Sequence, residues 1–597
     1  RGGARGSAQR RREGGCSCLR LLTLGLFFLS VVWLGAGIAM FQRERSAASP
    51  ADPSAGAHAA APLADAAAPL PMASPLAPAG GSPALPRSLR QASEGPGLAP
   101  PPLAPPPPPP QEQHRPDPVD MLEHAEIGWD QSMYQGAWTS DETKLPPFWR
   151  PPPGVDLDET GTMVDGEPTV FLMVASYRDF QCRETITSAF ERATHPKRVV
   201  VGAVEQNSPG DVGCTQPFKP CAEDPSQTLC RYRDQIRLFR VAAESATGPV
   251  FARHVGDRMY RGEYYAMQVD AHVTFVKDWE TLMIHQFKET RNDYAVLSTY
   301  LTDVQNSISE DGRSLRKTRP IMCNSHFEGG GVTSHLRHLA QPEEVPAIQD
   351  TPMLQPFWAA GMSFSRGHFI TRVPYDCCLP MLFQGEEISV GIRAWTQGYD
   401  LYAPRSSVVF HEYAVNSKRR RGIHTFWENS KRPSAGSAST SMKRMVALVR
   451  MAPDMSEDSY DHKDEALYGV GTERPVELFY KLFGMDVRRK SMVPELCKFV
   501  KSGIMHHTFV KGLRPNGKGI DYSQFQDFDI AQVISSELSR LQSAAERDIQ
   551  RAIQTRRPGM LSAALDAAKR SRLKEAKPEL YRQADQVLKE VRAAGKK

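Results

Sequence analysis

The sequence predicts an α/β layer protein with a helical C-terminal extension and one membrane-crossing helix near its N-terminus, and three observations predict it. From Pro168 onward short apolar runs alternate with helical stretches, the pattern of buried parallel strands joined by crossover helices. Leu21 to Phe41 is an uncharged run of 21 residues, long enough at about 1.5 Å per residue to cross a hydrocarbon core of about 30 Å. After about residue 430 the strand-like runs give way to helical texture.

The N-terminal element comes first. Arg1, Arg5, Arg10, Arg11, Arg12 and Arg20 precede the apolar run against a single Glu13. That bias keeps residues 1–20 cytosolic and places everything after residue 41 in the lumen. The alternative, a cleaved signal peptide, has an apolar core of only about 7 to 15 residues. Residues 42–165 follow as a stem: 21 of the 48 prolines fall in the 69 residues from Pro50 to Pro118. So little apolar side chain cannot offset the entropy of ordering, and the segment acts as a spacer. Aromatics return at Trp129, Tyr134, Trp138, Phe148 and Trp149, so folded structure begins between 120 and 165.

An α/β domain is expected over 166–430. Its elements are strands at Val170–Ala175 and Val199–Val204, a helix at Thr185–Ala193, a helix after Gly248-Pro249, and a strand at Tyr264–Val269. Later come strands near Tyr294–Thr299, Ala359–Phe364 and Ser406–Phe410, with a helix near Glu386–Trp395. The region 431–597 reads as helical, with a first-turn proline at Pro475 and a terminal helix. There Ile530, Ile534, Leu538, Leu541 and Ala545 recur at spacings of three and four. Such a stripe packs on its own domain, or in a second reading on another copy as a homodimer.

Charge and composition exclude several classes. Lys+Arg 73 against Asp+Glu 68 leaves only +5, which gives no electrostatic footprint for nucleic acid. With 597 residues, 40% of them apolar, neither a single small domain nor a wholly disordered chain fits. No phosphate-loop signature occurs. Eight cysteines lie beyond the apolar run: Cys182, Cys214, Cys221, Cys230, Cys323, Cys377, Cys378 and Cys497. Cys214, Cys221 and Cys230 lack zinc-finger spacing and read as a disulfide-stapled loop.

The chemistry concentrates where apolar strands stop. The run Tyr264–Val269 ends in Asp270-Ala271-His272. With a period of two along an extended chain, the carboxylate and the imidazole share one side. At a strand end of an open α/β sheet they face the ligand crevice, where they suit a divalent ion gripping a diphosphate, Mn²⁺ or Mg²⁺, with the imidazole favouring Mn²⁺. His411 ends another apolar strand, where it either supplies a third ligand or serves the structure alone. Glu386 and Glu387 open a helix after Gly385; there a carboxylate either caps the helix or accepts hydrogen bonds from sugar hydroxyls.

Four stretches carry a family resemblance: VASYRD at 174–179, GPVFARHVGDRMYRGEYYAMQVDAHVTFVKDWE at 248–280, PFWAAGMSFSRGHF at 356–369, and FQGEEISVGIRAWTQGYDLYAPRSSVVFHEY at 383–413. Together they resemble the hydroxyproline or Ser/Thr polypeptide α-N-acetylglucosaminyltransferases, glycosyltransferase family sixty, relatives of the polypeptide N-acetylgalactosaminyltransferases. The resemblance implies a GT-A fold, a UDP-GlcNAc donor, a manganese-type ion and retention of anomeric configuration. It implies Asp270, His272 and His411 as metal ligands, and Ser176, Tyr177, Arg178 and Asp179 at the nucleotide. It also implies Arg253 near the nucleotide, Trp358 and Gly361 lining the sugar, and Glu386 or Glu387 as the catalytic-site carboxylate, with the choice between them open. The family's best-known branch is soluble and cytosolic, whereas this chain carries an anchor and a stem. That plan implies a single-pass type II protein of the Golgi or endoplasmic reticulum acting on secretory or membrane proteins. Two alternatives keep the fold: another UDP-sugar or acceptor, or a lumenal sugar-binding scaffold without catalysis.

Overall fold

The structure, a computed structural model, describes residues 145–433 and 436–594. The expected tail (1–20), membrane segment (21–41) and most of the stem (42–144) lie outside the described residues. Among the described residues no helix is long and apolar enough to cross a membrane.

Eight strands form the central sheet. In chain order they are β1 Val170–Tyr177, β2 Val199–Asn207, β3 Ile236–Ala242, β4 Tyr265–Asp270, β6 Ala295–Ser298, β7 Met353–Leu354, β8 Met362–Arg366 and β9 Asp400–Ala403. Their spatial order is β7-β9-β6-β8-β4-β1-β2-β3. β1 lies between β2 and β4, parallel to both, and Val170 to Val174 are fully buried, as a strand covered on both faces must be. Crossover helices α1 Cys182–Glu191 and α2 Pro249–Asp257 connect β1 to β2 and β3 to β4. The sheet is not purely parallel. β8 runs antiparallel to both of its neighbours, β4 and β6, so its first residues stand at the same sheet edge as the last residues of β4. Outside the sheet, β5 Val273–Phe275 and β10 Val409–His411 form an antiparallel ribbon. Helices α3 Trp279–Glu289 and α4 Glu386–Thr396 complete the unit.

Two boundaries differ from the sequence expectation. Residues 145–165, assigned to the stem by their prolines, pack on the sheet unit. The Phe148 and His254 rings meet edge to face at 5.4 Å, and Trp149 meets Tyr260 at 5.3 Å. The carboxylate of Asp158 is gripped by Arg372 and by Lys518 at 2.7 Å. Residues 438–534 likewise share the hydrophobic core of the sheet unit. Arg474 pairs with Asp400 at 3.0 Å and donates to the carbonyls of Gly398, Tyr399 and Ile520 at 2.8 Å each. The last helices form a core of their own. These are the distal part of α5 Ile530–Thr555, then α6 Pro558–Arg570 and α7 Pro578–Ala594. The apolar stripe of α5 serves both: Ile530 belongs to the main core and Ala545 to the terminal one.

The eight cysteines of the described residues pair as Cys182–Cys214, Cys221–Cys230, Cys323–Cys497 and Cys377–Cys378. The 214–230 stretch is therefore stapled, as expected.

Candidate active site

The site lies on one edge of the sheet, where β1 and β4 end and the antiparallel β8 begins. Asp270 is the last residue of β4, and Ala175 faces it across the β1 ladder. Because β8 is antiparallel, with Met362 opposite Val269, Gly361 arrives directly beside this carboxylate. A Cβ added at Gly361 would stand 3.3 Å from Asp270 Oδ2. The ribbon supplies the two imidazoles: His411 pairs with Val273, the residue after His272, and the amide of Glu412 donates to the His272 carbonyl at 3.0 Å. The two rings are 4.3 Å apart, centroid to centroid, and nearly perpendicular. Asp270, His272 and His411 each offer a ligand atom, all within 4.8 Å of one another. His411 Nε2 and Asp270 Oδ2 are 3.6 Å apart.

The surroundings suit a divalent cation. His411 is kept neutral because burial, aided by the neighbouring His272, lowers its pKa to about 3; a neutral imidazole is the ligand form. His272 Nδ1 donates to Asp179 Oδ2 at 2.8 Å, leaving Nε2 as its ligand atom. Asp179 is itself clamped by Arg420 through contacts of 3.0 and 3.1 Å. Burial raises the carboxyl of Asp179, but His272 and Arg420 outweigh that and hold it at about 2. Such a carboxylate behind a ligand imidazole fixes tautomer and ring orientation. One carboxylate, two imidazoles and the space left by Gly361 fit a manganese-type ion.

The second group of residues opens α4. Gly385 caps this helix with φ 90°, a left-handed conformation that glycine adopts without strain. Glu386 is buried, ion-paired to Arg253 and accepting from the Tyr375 hydroxyl at 3.0 Å. Arg253 reaches on to Asp270 Oδ1 at 3.2 Å. Burial alone would lower the pKa of this guanidinium, yet Glu386, Tyr375 and Asp270 keep it protonated. Glu387 keeps partial exposure and is held from two sides. The Tyr300 hydroxyl donates to Oε2 at 2.6 Å and the Ala360 amide to Oε1 at 2.8 Å. Burial pushes Glu387 up to about 6 even though Tyr300 pulls it down. Of the two carboxylates, Glu386 is walled in behind Arg253, and Glu387 is the one a substrate can reach.

The remaining predicted residues divide. Ser176, at the end of β1, is buried, and its hydroxyl oxygen has no hydrogen-bond partner among the described residues. Tyr177 is partly exposed; partial burial and then Glu428 raise its pKa, while Arg178 and Arg432 act the other way. Arg178 adopts φ 49° and spans from Asp211 at 2.8 Å to Glu428 at 3.4 Å. Asp179 and Arg253 face inward, to His272 and to Glu386 with Asp270. Trp358 is buried, with an indole N–H lacking a partner and its ring edge-on to Tyr375. Sequence reasoning missed Tyr300, Tyr375 and Arg420. Arg420 stands in the basic run Lys418–Arg421 yet is buried at 1% exposure, while the other three residues of the run are exposed.

The profile of the family described as "Glycosyltransferase (GlcNAc)" matches residues 169–223 and 218–489, just over half of the chain. The chain belongs to this family and is a glycosyltransferase enzyme, which decides between the enzyme and the scaffold readings. Similar solved structures include GalNAc-T7 with UDP, GalNAc and Mn²⁺, at 13% identity and TM-score 0.35, covering 53% of this chain and 60% of that one. Staphylococcus aureus TarS 1-349 with UDP-GlcNAc aligns at 14% identity and TM-score 0.27, over 50% and 70%. The mannosyltransferase PcManGT from Pyrobaculum calidifontis with GDP-Man and Mn²⁺ aligns at 12% and 0.26, over 49% and 77%. This chain thus spans about 60% of the GalNAc-T7 structure, and superpositions this loose carry no argument about substrate. No curated protein matches the chain.

Proposed function

We propose that the protein is a retaining, divalent-metal-dependent transferase of the GT-A type that moves GlcNAc from UDP-GlcNAc to hydroxyl groups of Ser, Thr or hydroxyproline in proteins. The observation that carries this reading is the convergence of Asp270, His272 and His411 within 4.8 Å beside two carboxylates on one sheet edge. A bound manganese-type ion would neutralise charge on a departing diphosphate. The chain's own residues do the rest. Asp179 holds His272 in the ligand tautomer, and Arg253 holds Asp270 and Glu386 at fixed separation. Glu387, ionised above about pH 6, accepts hydrogen bonds from sugar hydroxyls and orients the ring. In the reaction the bond between the sugar C1 and the β-phosphate oxygen breaks. The acceptor oxygen bonds to C1 on the same face, and its proton passes to the departing UDP. No covalent enzyme intermediate is required.

For location we propose a type II protein of the Golgi or endoplasmic reticulum, with residues 21–41 as anchor. The four disulfides support an oxidising compartment.

The test is transfer by the full-length chain from a panel of UDP-sugars to Thr/Pro-rich and hydroxyproline-containing peptides, with and without Mn²⁺, beside Asp270→Ala. The expected result is Mn²⁺-dependent GlcNAc transfer that disappears in the variant. A folded, metal-binding protein that turns over no UDP-sugar would overturn the reading.

A further inference from the structure

Three aromatic rings stand together on the surface of the sheet edge that carries the site. Phe383 is 52% exposed and Trp427 45%. Phe383 lies 6.4 Å from Phe426 and 6.3 Å from Trp427, and Phe426 lies 4.2 Å from Trp427. Large rings so placed cost free energy in water unless something covers them.

Their position is fixed by the site's own elements. Phe383 is three residues before Glu386. The 426–429 turn is pinned by Asn429, which donates to the carbonyls of Ala243 and Ala246 at 2.7 and 2.9 Å, in the connection between β3 and α2. Phe426 also covers Gly248, the residue preceding α2, where an added Cβ would meet its ring at 3.2 Å. α2 is the helix that carries Arg253.

The charge around the rings has one sign. Residues 414–433 contain six Lys or Arg and a single acid, Glu428. That acid is already engaged, by His424 at 2.7 Å and Arg178 at 3.4 Å. Arg419 and Arg420 are paired with acids as well. Arg421, Lys431 and Arg432 are exposed and make no ion pair among the described residues.

We propose that Phe383, Phe426 and Trp427, with Arg421, Lys431 and Arg432 at their rim, form the docking surface for an acidic, apolar-bearing segment of the acceptor polypeptide. The inference rests on the reading above that the acceptor is a protein. The donor offers a diphosphate to the cations and a single uracil to one ring, whereas an acidic polypeptide offers several carboxylates and apolar side chains along its length, enough to engage separated cations and three rings together, and complementary charge sets its selectivity.

The test uses the full-length chain and two dye-labelled Thr/Pro-rich peptides of equal length, each with one Phe, one rich in Asp and the other in Lys. Fluorescence anisotropy without donor measures docking, and transfer assays give separate KM values for peptide and for UDP-GlcNAc. The acidic peptide should bind about tenfold more tightly at low salt. The exposed double reversal Lys431→Glu/Arg432→Glu should invert that preference, a gain of binding for the basic peptide that misfolding cannot produce. Trp427→Ala should weaken both peptides. Equal binding of the two peptides, or a double reversal that moves the KM of UDP-GlcNAc and not that of the peptide, overturns the proposal and, in the second case, returns the cations to the diphosphate. The anisotropy arm needs no turnover, so a failure of the proposed reaction and a failure of this dock are read separately.

Discussion

Around the site Arg253, Glu386, Asp179 and Arg420 are buried and paired with one another. In the terminal helical cluster of residues 545–588 the buried hydrophobic residues are Ala, Ile and Leu, the buried polar residue Ser571 carries no charge, and ion pairs such as Lys577 with Glu546 lie at the surface. Both regions are stably packed, so burying charge is not a condition for packing here. Taking ions out of water costs several kcal/mol per ion, and a well-packed apolar core of the same volume is often as stable or more so. The sheet edge bears that cost because its charges hold ligand atoms in place. The helical cluster shows no such pairs among the described residues.

The sharpest way to break this contrast is to remove one buried charge. Arg253→Ala strands two carboxylates, Glu386 and Asp270, and should cost about 3–5 kcal/mol of stability, read as a fall in melting temperature, with weakened Mn²⁺ binding by calorimetry. Arg253→Lys should recover part of both. A variant with unchanged melting and metal affinity would show that the pair does not position the site.

The apolar side of the comparison gives the next largest effect. Leu561 is fully buried in the terminal cluster, and Leu561→Ala should lose about 2–5 kcal/mol from that cluster, seen as faster amide exchange in α6 and α7 with no change in Mn²⁺ affinity. A matching loss at the metal site would show that the two cores are coupled.

Asp179→Asn keeps the shape behind His272 and removes its charge. It should lower metal affinity or turnover about 10- to 100-fold, and because it leaves the buried Arg420 guanidinium without its acid it should lower the melting temperature as well.

The pH dependence sharpens the choice between the two carboxylates. Burial raises Glu387 from 4.5 to about 6, so the protonated form is the one the fold favours. Its contribution to stability is complete below pH 4.5 and is lost as pH rises through 6. Turnover should move the opposite way, rising through pH 6 as the carboxylate forms. Glu387→Gln should flatten both limbs, and a turnover limb that survives the substitution assigns the titration elsewhere. Smallest of all, Lys577→Ala breaks an exposed pair and should cost less than about 1 kcal/mol.

The candidate metal ligands were legible in the sequence because they obey local rules. An apolar strand ends in a carboxylate, its imidazole follows at a period of two, and a second strand ends in His411. The buried frame around them was not legible, because its partners are far apart in the chain. Arg420 sits in a basic run that composition reads as solvated, and its acid, Asp179, lies 241 residues earlier. Tyr300 and Tyr375 reach Glu387 and Glu386 through packing that no periodicity encodes. β3 escaped notice because Arg237 and Arg240 interrupt its apolar residues, a composition that suits the sheet's edge. Residues 145–165 hide a packed segment under stem-like proline content, since its fixed points are single side chains, Phe148, Trp149 and Asp158, and not a repeating pattern.

The Cys323–Cys497 cross-link joins positions 174 residues apart. At a synthesis rate of about 5–20 residues per second, the thiol of Cys323 waits roughly 9 to 35 seconds for its partner, and Cys377 and Cys378 emerge first. Nearness in time therefore favours the wrong neighbours, and the native pair forms only once the chain has packed well enough to keep Cys323 out of their reach.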